Sequence, residues 1–193
     1  MKKWILGLMM LAALAVAGDA SADLLQISNQ GFEDLVLSPG QYVYEIPGWD
    51  IDGFVSTWYP ISSSFPDGAP EGHNTAAMGP TSFTSISQTL ADVLTASTHY
   101  ELTVDVGHRL DLGLALYNVQ LLAGDTVLSE GTNPDIDAGQ FIVLTVTYDA
   151  LADDPQLGEP LRINLLCGEG GQVNFDDVRL DASAIDTPTP FGR

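Results

Sequence analysis

Basic residues are nearly missing from this 193-residue sequence, in which 6 Lys and Arg face 26 Asp and Glu for a formal charge of −20. No lysine follows Lys3. A chain this acidic repels the phosphates of nucleic acid and of anionic lipid, which excludes both as partners. Cysteine is represented only by Cys167, so no internal disulfide exists and the core alone must carry stability. In Leu165-Leu166-Cys167 it reads as a small buried apolar residue. Catalytic signatures are missing too: there is no Gly-x-Ser-x-Gly or His-Glu-x-x-His, and His73, His99 and His108 have no metal-ligand spacing. Paired carboxylates carry no information, because so many acids satisfy a glycosidase spacing by chance. These absences set the expectation of a protein that is not an enzyme.

Apolar runs are confined to the start. Lys2 and Lys3 precede an apolar stretch from Trp4 to Ala17, and Ala20-Ser21-Ala22 gives the small-x-small pattern of a signal-peptidase site. The stretch is shorter than the roughly 20 residues that span a bilayer. Residues 1–22 are therefore expected to be a signal peptide, giving a secreted, periplasmic or cell-surface protein with no membrane contact after cleavage. Cleavage removes Lys2, Lys3 and Asp19, leaving four arginines against 25 carboxylates and a formal charge of −21. Self-repulsion at that charge favours screening by cations.

The dominant period in the remainder is two. Tyr100, Leu102, Val104 and Val106 alternate with polar residues, as do Tyr117, Val119 and Leu121 before the turn at Ala123-Gly124-Asp125. Ile142 to Tyr148, Leu161 to Leu165, and Val178 with Leu180 repeat the pattern. Only Ser87 to Ala96 has room for a short helix. Many short strands with long loops predict an all-β antiparallel sandwich of jelly-roll type over residues 23–184, with a disordered Thr/Pro-rich tail over 185–193. Between Pro39 and Pro80 the aromatics Tyr42, Tyr44, Trp49, Trp58, Tyr59 and Phe65 sit among Gly, Pro and Ser. Such rings either bind a ligand or close the end of the sandwich.

Asn29-Gln30-Gly31-Phe32-Glu33 opens the domain, Pro47-Gly48-Trp49 follows, and Asn174-Phe175-Asp176-Asp177-Val178-Arg179-Leu180 closes it. With Gln88-Thr89-Leu90 and Thr98 to Val104 between them, this order resembles the galactose-binding-like jelly-rolls, especially non-catalytic carbohydrate-binding modules. It is also similar to uncharacterised bacterial exported proteins that carry a C-terminal Pro-Glu-Pro sorting signal, although that signal is missing from Thr187 to Arg193. The resemblance spans Leu24 to Asp181. It implies first and last strands side by side, a structural calcium ion nearby, and a polysaccharide or other glycan as partner. The alternative function is an extracellular structural or adhesive protein that uses the same sandwich for protein contacts.

By that resemblance Glu33 and Asp176 are the principal calcium ligands, with Asn29 or Asp177 as a third; calcium takes oxygen ligands, carboxylates and carbonyls among them. Asp176 shares a strand face with Val178 and Leu180, where a carboxylate needs a partner. The other reading has Glu33 and Asp176 binding backbone N–H groups. For the sugar, Asp105, Asn118, Gln120, Thr103 and Asn164 all face away from the core-forming residues and offer donors and acceptors. Trp58, Tyr59 and Trp49 supply ring faces for a pyranose. Arg109 either meets the ligand or pairs with Asp111 or Asp105.

Overall fold

The computed structural model describes residues 22–79 and 83–185. Apart from Ala22 and Ile185, the expected leader and tail lie outside the described residues. Twelve strands follow one another: β1 (Asp23–Leu24), β2 (Tyr42–Val43), β3 (Asp50–Asp52), β4 (Val55–Trp58), β5 (Thr75–Met78), β6 (Thr84–Val93), β7 (Thr98–His108), β8 (Tyr117–Ala123), β9 (Thr126–Gly131), β10 (Gln140–Ala150), β11 (Pro160–Cys167) and β12 (Val173–Ala184). Among the described residues there is no helix. The larger sheet runs β10-β7-β12-β5-β4-β2, with β1 also on β12; the smaller runs β3-β6-β11-β8-β9. The expected all-β antiparallel jelly-roll sandwich is what the chain forms, and its first and last strands do pair, Asp23 opposite Ala182.

The alternating residues build the core as their period requires. Leu102, Val104 and Val106 of β7 and Phe175, Val178 and Leu180 of β12 meet Val119, Leu121, Ile163 and Leu165 from the facing sheet, all fully buried. Each such side chain is worth about 1.5–3 kcal/mol relative to exposure. Trp49 belongs to this core, 5.6 Å from Phe32, and its Nε1–H donates to the Asn29 carbonyl.

Two local expectations are corrected. Ser87 to Ala96 is no helix: Thr84–Val93 is β6, hydrogen-bonded on one side to β11 and on the other to β3. Ile86, Gln88 and Leu90 all point inward, and the polar Gln88 disguised the alternation. Its amide accepts from Ser28 N and donates to the Ser28 and Gly48 carbonyls, satisfying three backbone groups of the opening segment. In β12, Asp177 has φ +43° and the register against β7 shifts between Asp176 and Arg179. This bulge inserts a residue, so Phe175 and Val178 both face the core. Asp176 instead lies opposite Asp105, on the face turned away from the core.

Candidate active site

That outer face of the large sheet positions the site. Trp58, at the end of β4, packs with Phe65 and Ala77 in a second small apolar cluster, against which Phe141 of β10 rests. The Phe65 and Phe141 centroids are 4.4 Å apart. Gly107 makes this possible, since a Cβ there would lie 2.4 Å from the Phe141 ring.

Beside the cluster opens a pocket of about 220 Å³, lined by Tyr42, Tyr44, Phe54, Ser56, Trp58, Ala77, Gly79, Arg109 and Gln172. Its rim is aromatic. Tyr42 and Tyr44 meet edge to face at 5.3 Å, and Tyr44 lies 4.6 Å from Phe54. All three rings are exposed, because β2 is a two-residue edge strand held only by β4, and Phe54 follows a turn at Gly53, φ +95°. The Tyr42 phenol beside it raises the Tyr44 hydroxyl above its ordinary range, with partial burial adding to the effect.

The far wall is Arg109, just beyond β7. Its guanidinium carbon lies 4.6 Å from the Trp58 centroid. Nε and NH2 donate to the two Asp111 oxygens at 3.0 and 2.7 Å, NH1 to Gln172 Oε1 at 2.9 Å, and NH2 to Ser64 Oγ at 3.3 Å. The Arg109 hydrogen bonds hold the Asp111 carboxyl below its usual range. Gln172 in turn donates to Asn174, and the buried Asn174 amide donates to Thr75 Oγ1. Chemically the pocket offers flat π faces, two phenols, an amide and a fixed guanidinium. No carboxylate or imidazole lines it. A larger open groove of about 430 Å³ lies by the described chain ends, lined mainly by small residues with Asp23, Asp92 and Tyr100. It lacks such a set of ring faces.

The residues expected to bind a ligand do not assemble as one face. Trp58 and Arg109 line the pocket. Arg109 also pairs with Asp111, one of the two carboxylates expected as its alternative partners. Tyr59 instead stacks on His73 at 5.1 Å, and Trp49 is core. Asp105 faces outward from the large sheet, whereas Asn118, Gln120 and Asn164 face outward from the small one. There Asn118 and Gln120 donate to Glu130, and Asn164 to Gln120. Alternation gave the side of each strand but not which sheet the strand joins. Tyr42 and Tyr44 were named among the loop rings but not placed at a site, and Phe54 and Gln172 were not singled out; the density of rings between Tyr42 and Tyr59 was the signal for Phe54, and Gln172 had none.

The expected metal residues lie at the other end of the same face. Glu33 Oε1 accepts from the His73 and Asn74 amides at 2.6 and 2.5 Å, and Asp176 accepts from the Glu71 and Asp177 amides at 3.0 and 2.8 Å. Backbone N–H groups are thus real partners of both. Burial pushes Asp176 up to about 8, with Glu71 and Asp105 adding repulsion, and burial also brings Asp105 to about 6. Burial first, then the Glu33 and Asp177 charges, raises Glu71. Asn29 is already committed, accepting from Asp34 N and donating to the Pro47 carbonyl, and Asp177 pairs with Arg179. Among the described residues no three His, Cys, Asp or Glu side chains already converge as ligands. The wholly buried Asn74, whose backbone N–H donates to Glu33, has a side-chain Oδ1 without a partner. A buried amide oxygen without a partner, on a residue whose N–H binds a carboxylate, is a donor of the type an oxygen-seeking cation takes.

Comparison with known proteins overturns the functional expectation. The family model of the HpiC1-like cyclases, described as HpiC1 cyclase, matches residues 23–181. A Stig cyclase from Fischerella sp. TAU, solved in complex with (3Z)-3-(1-methyl-2-pyrrolidinylidene)-3H-indole, is 32% identical with a TM-score of 0.78; 86% of this chain and 100% of that one are covered. A cyclase from the same organism in complex with 4-(1H-indol-3-yl)butan-2-one is 33% identical over the same shares, with a TM-score of 0.76. The carbohydrate-binding module TmCBM61, solved with β-1,4-galactotriose, is only 15% identical at a TM-score of 0.52, covering 81% of this chain and 97% of its own. That likeness is one of fold alone. No curated protein matches the chain. The expectations of a non-catalytic carbohydrate-binding or adhesive protein, of no enzyme, and of a polysaccharide partner are therefore corrected. The Phe32-Glu33 and Asp176-Asp177 motifs frame a jelly-roll whatever its chemistry. The chain belongs to the HpiC1-like cyclase family.

Proposed function

We propose that this protein is a cyclase for a small, largely apolar substrate carrying a flat aromatic ring, and that the Tyr42–Tyr44–Phe54–Trp58 pocket is its active site. The observation that carries this reading is the exposed aromatic rim around a fixed Arg109, in a member of a cyclase family. A ring between these side chains stacks and meets edges at the 4.5–7 Å spacings that aromatic pairs prefer. The pocket thereby holds one end of a flexible chain folded while the rest closes on it, and this proximity lowers the barrier to an intramolecular bond. Protonation at one carbon by a phenol, and return of a proton from another carbon to the phenolate so formed, would close a ring with no change in mass. Of the lining groups Tyr44 carries a phenol held in its protonated form at neutral pH, and it serves as the donor. The test is incubation with indoles bearing unsaturated side chains, read by liquid chromatography and mass spectrometry. A product of unchanged mass and new retention supports the reading, and its absence across the series with no indole binding refutes it.

We also propose that calcium binds at Glu33 and Asp176, with Glu71 and the Asn74 Oδ1 as further oxygen donors. The support is the charge imbalance of that corner and the orphaned amide oxygen. Bound there, the ion would neutralise carboxylates and tie the opening turn to β12. Calcium titration followed by thermal melting tests this: the midpoint should rise, and an unchanged melt in EDTA and in excess calcium refutes it.

A further inference from the structure

We infer that the pocket selects an uncharged aromatic substrate bearing a hydrogen-bond acceptor, and that Arg109 makes the selection through its one remaining N–H. This deepens the active-site assignment above and rests on it. A guanidinium has five N–H hydrogens. Asp111 takes one from Nε and one from NH2, Ser64 the second of NH2, and Gln172 one of NH1. One NH1 hydrogen has no partner among the described residues, on a side chain that lines the pocket. The group cannot swing to reach other acceptors. Trp58 lies against its face at 4.6 Å, and three neighbours hold its edges.

The same contacts set the charge preference. The positive charge of Arg109 is already met by the bidentate Asp111 carboxylate. An anionic substrate would approach that carboxylate inside a chain of formal charge −20, and would gain little. An ammonium group carries donors only and could not accept from the remaining NH1 hydrogen. A neutral carbonyl-type oxygen avoids both penalties and accepts a charge-assisted hydrogen bond. Gln172 and Ser64 act through Arg109 and are positioning residues.

Calorimetric titration of the full chain with four matched ligands tests this: 4-(1H-indol-3-yl)butan-2-one, 3-butylindole, indole-3-butyrate and the corresponding protonated amine, 4-(1H-indol-3-yl)butan-2-amine. The ketone should bind about tenfold or more tightly than 3-butylindole, the size of one hydrogen bond to a charged donor. Simple hydrophobicity orders these two the other way, so the ranking is diagnostic. The carboxylate and the ammonium compound should both bind more weakly than the ketone. Arg109→Met, which keeps the side-chain length over Trp58, should bring the ketone and 3-butylindole to equal affinity, whatever the change in both. Equal binding of ketone and 3-butylindole by the wild-type protein, or tightest binding of either charged ligand, overturns the role of Arg109 and leaves the aromatic pocket standing. Failure of all four to bind overturns the pocket assignment, and this inference with it.

Discussion

The Arg109 guanidinium carbon lies over the Trp58 ring, 4.6 Å from its centroid, although 51 positions separate the two residues in the chain. Trp58 ends the short strand β4, whereas Arg109 stands just past β7. The contact brings the two sides of the pocket together, and Asp111, Gln172 and Ser64 make it rigid.

Trp58→Phe should therefore weaken indole binding about tenfold while leaving the fold intact, because a phenyl ring still packs on Phe65 but offers less cover to Arg109. Trp58→Ala should abolish binding and also cost about 3–5 kcal/mol of stability, as large buried aromatics do. Ligand titration and urea unfolding of both variants separate the two effects. Unchanged affinity in Trp58→Phe would remove Trp58 from the site.

Tyr44→Phe should lower kcat by about 10²-fold with little change in KM, since the ring that contacts substrate remains and only the proton is lost. Tyr42→Phe should leave kcat unchanged or slightly higher, because it removes the partner that raises the Tyr44 hydroxyl. A change confined to KM in Tyr44→Phe would make the hydroxyl a binding group only.

Gly107→Ala should disturb the site from beneath. The new methyl would meet the Phe141 ring at 2.4 Å, forcing that ring off Phe65 and loosening the support of Trp58. Weaker ligand binding with a lowered melting temperature is expected. A fully active, equally stable variant would show that the Phe141–Phe65 packing does not support the pocket.

Asp176 predicts an unusual pH dependence. In the folded, calcium-free protein burial pushes its pKa up to about 8 from the ordinary 3.8 of an aspartate. Between those values the folded state keeps a proton that the unfolded state has released, so stability falls as pH rises from about 4 to about 8. Asp105, at about 6, adds to the fall over the lower part of that window. Thermal melts in EDTA should drop across this range, calcium should flatten the slope, and Asp176→Asn should remove most of it. A calcium-free melting temperature that rises through the same window would contradict this placement of the carboxylates.

Much of the fold was legible because alternation is a local signal. Leu102 to Val106, Val119 with Leu121, and Ile163 with Leu165 carry it plainly, and all of them are core. Gln88 broke it with an inward amide whose backbone partners lie 40 and 60 residues away. Asp177 broke it with a bulge that no alternation pattern announces. The site was legible only in part. Trp58 and Arg109 stood out as residues of the right type, but Tyr42, Tyr44, Phe54 and Gln172 join them only through the pairing of β2 with β4 and of β12 with β5. The chemistry was misread for a related reason: the motifs that could be recognised maintain the sandwich, and this pocket uses aromatic and amide side chains that form no catalytic signature.

The most direct measurement of the central claim is the mass-resolved product assay on indoles with unsaturated side chains, run with the wild-type protein and with Tyr44→Phe. The cyclase reading predicts a product of unchanged mass and altered retention from the wild type, and little from the variant. Indole binding without conversion of any member of the series, or equal conversion by the two proteins, would contradict it.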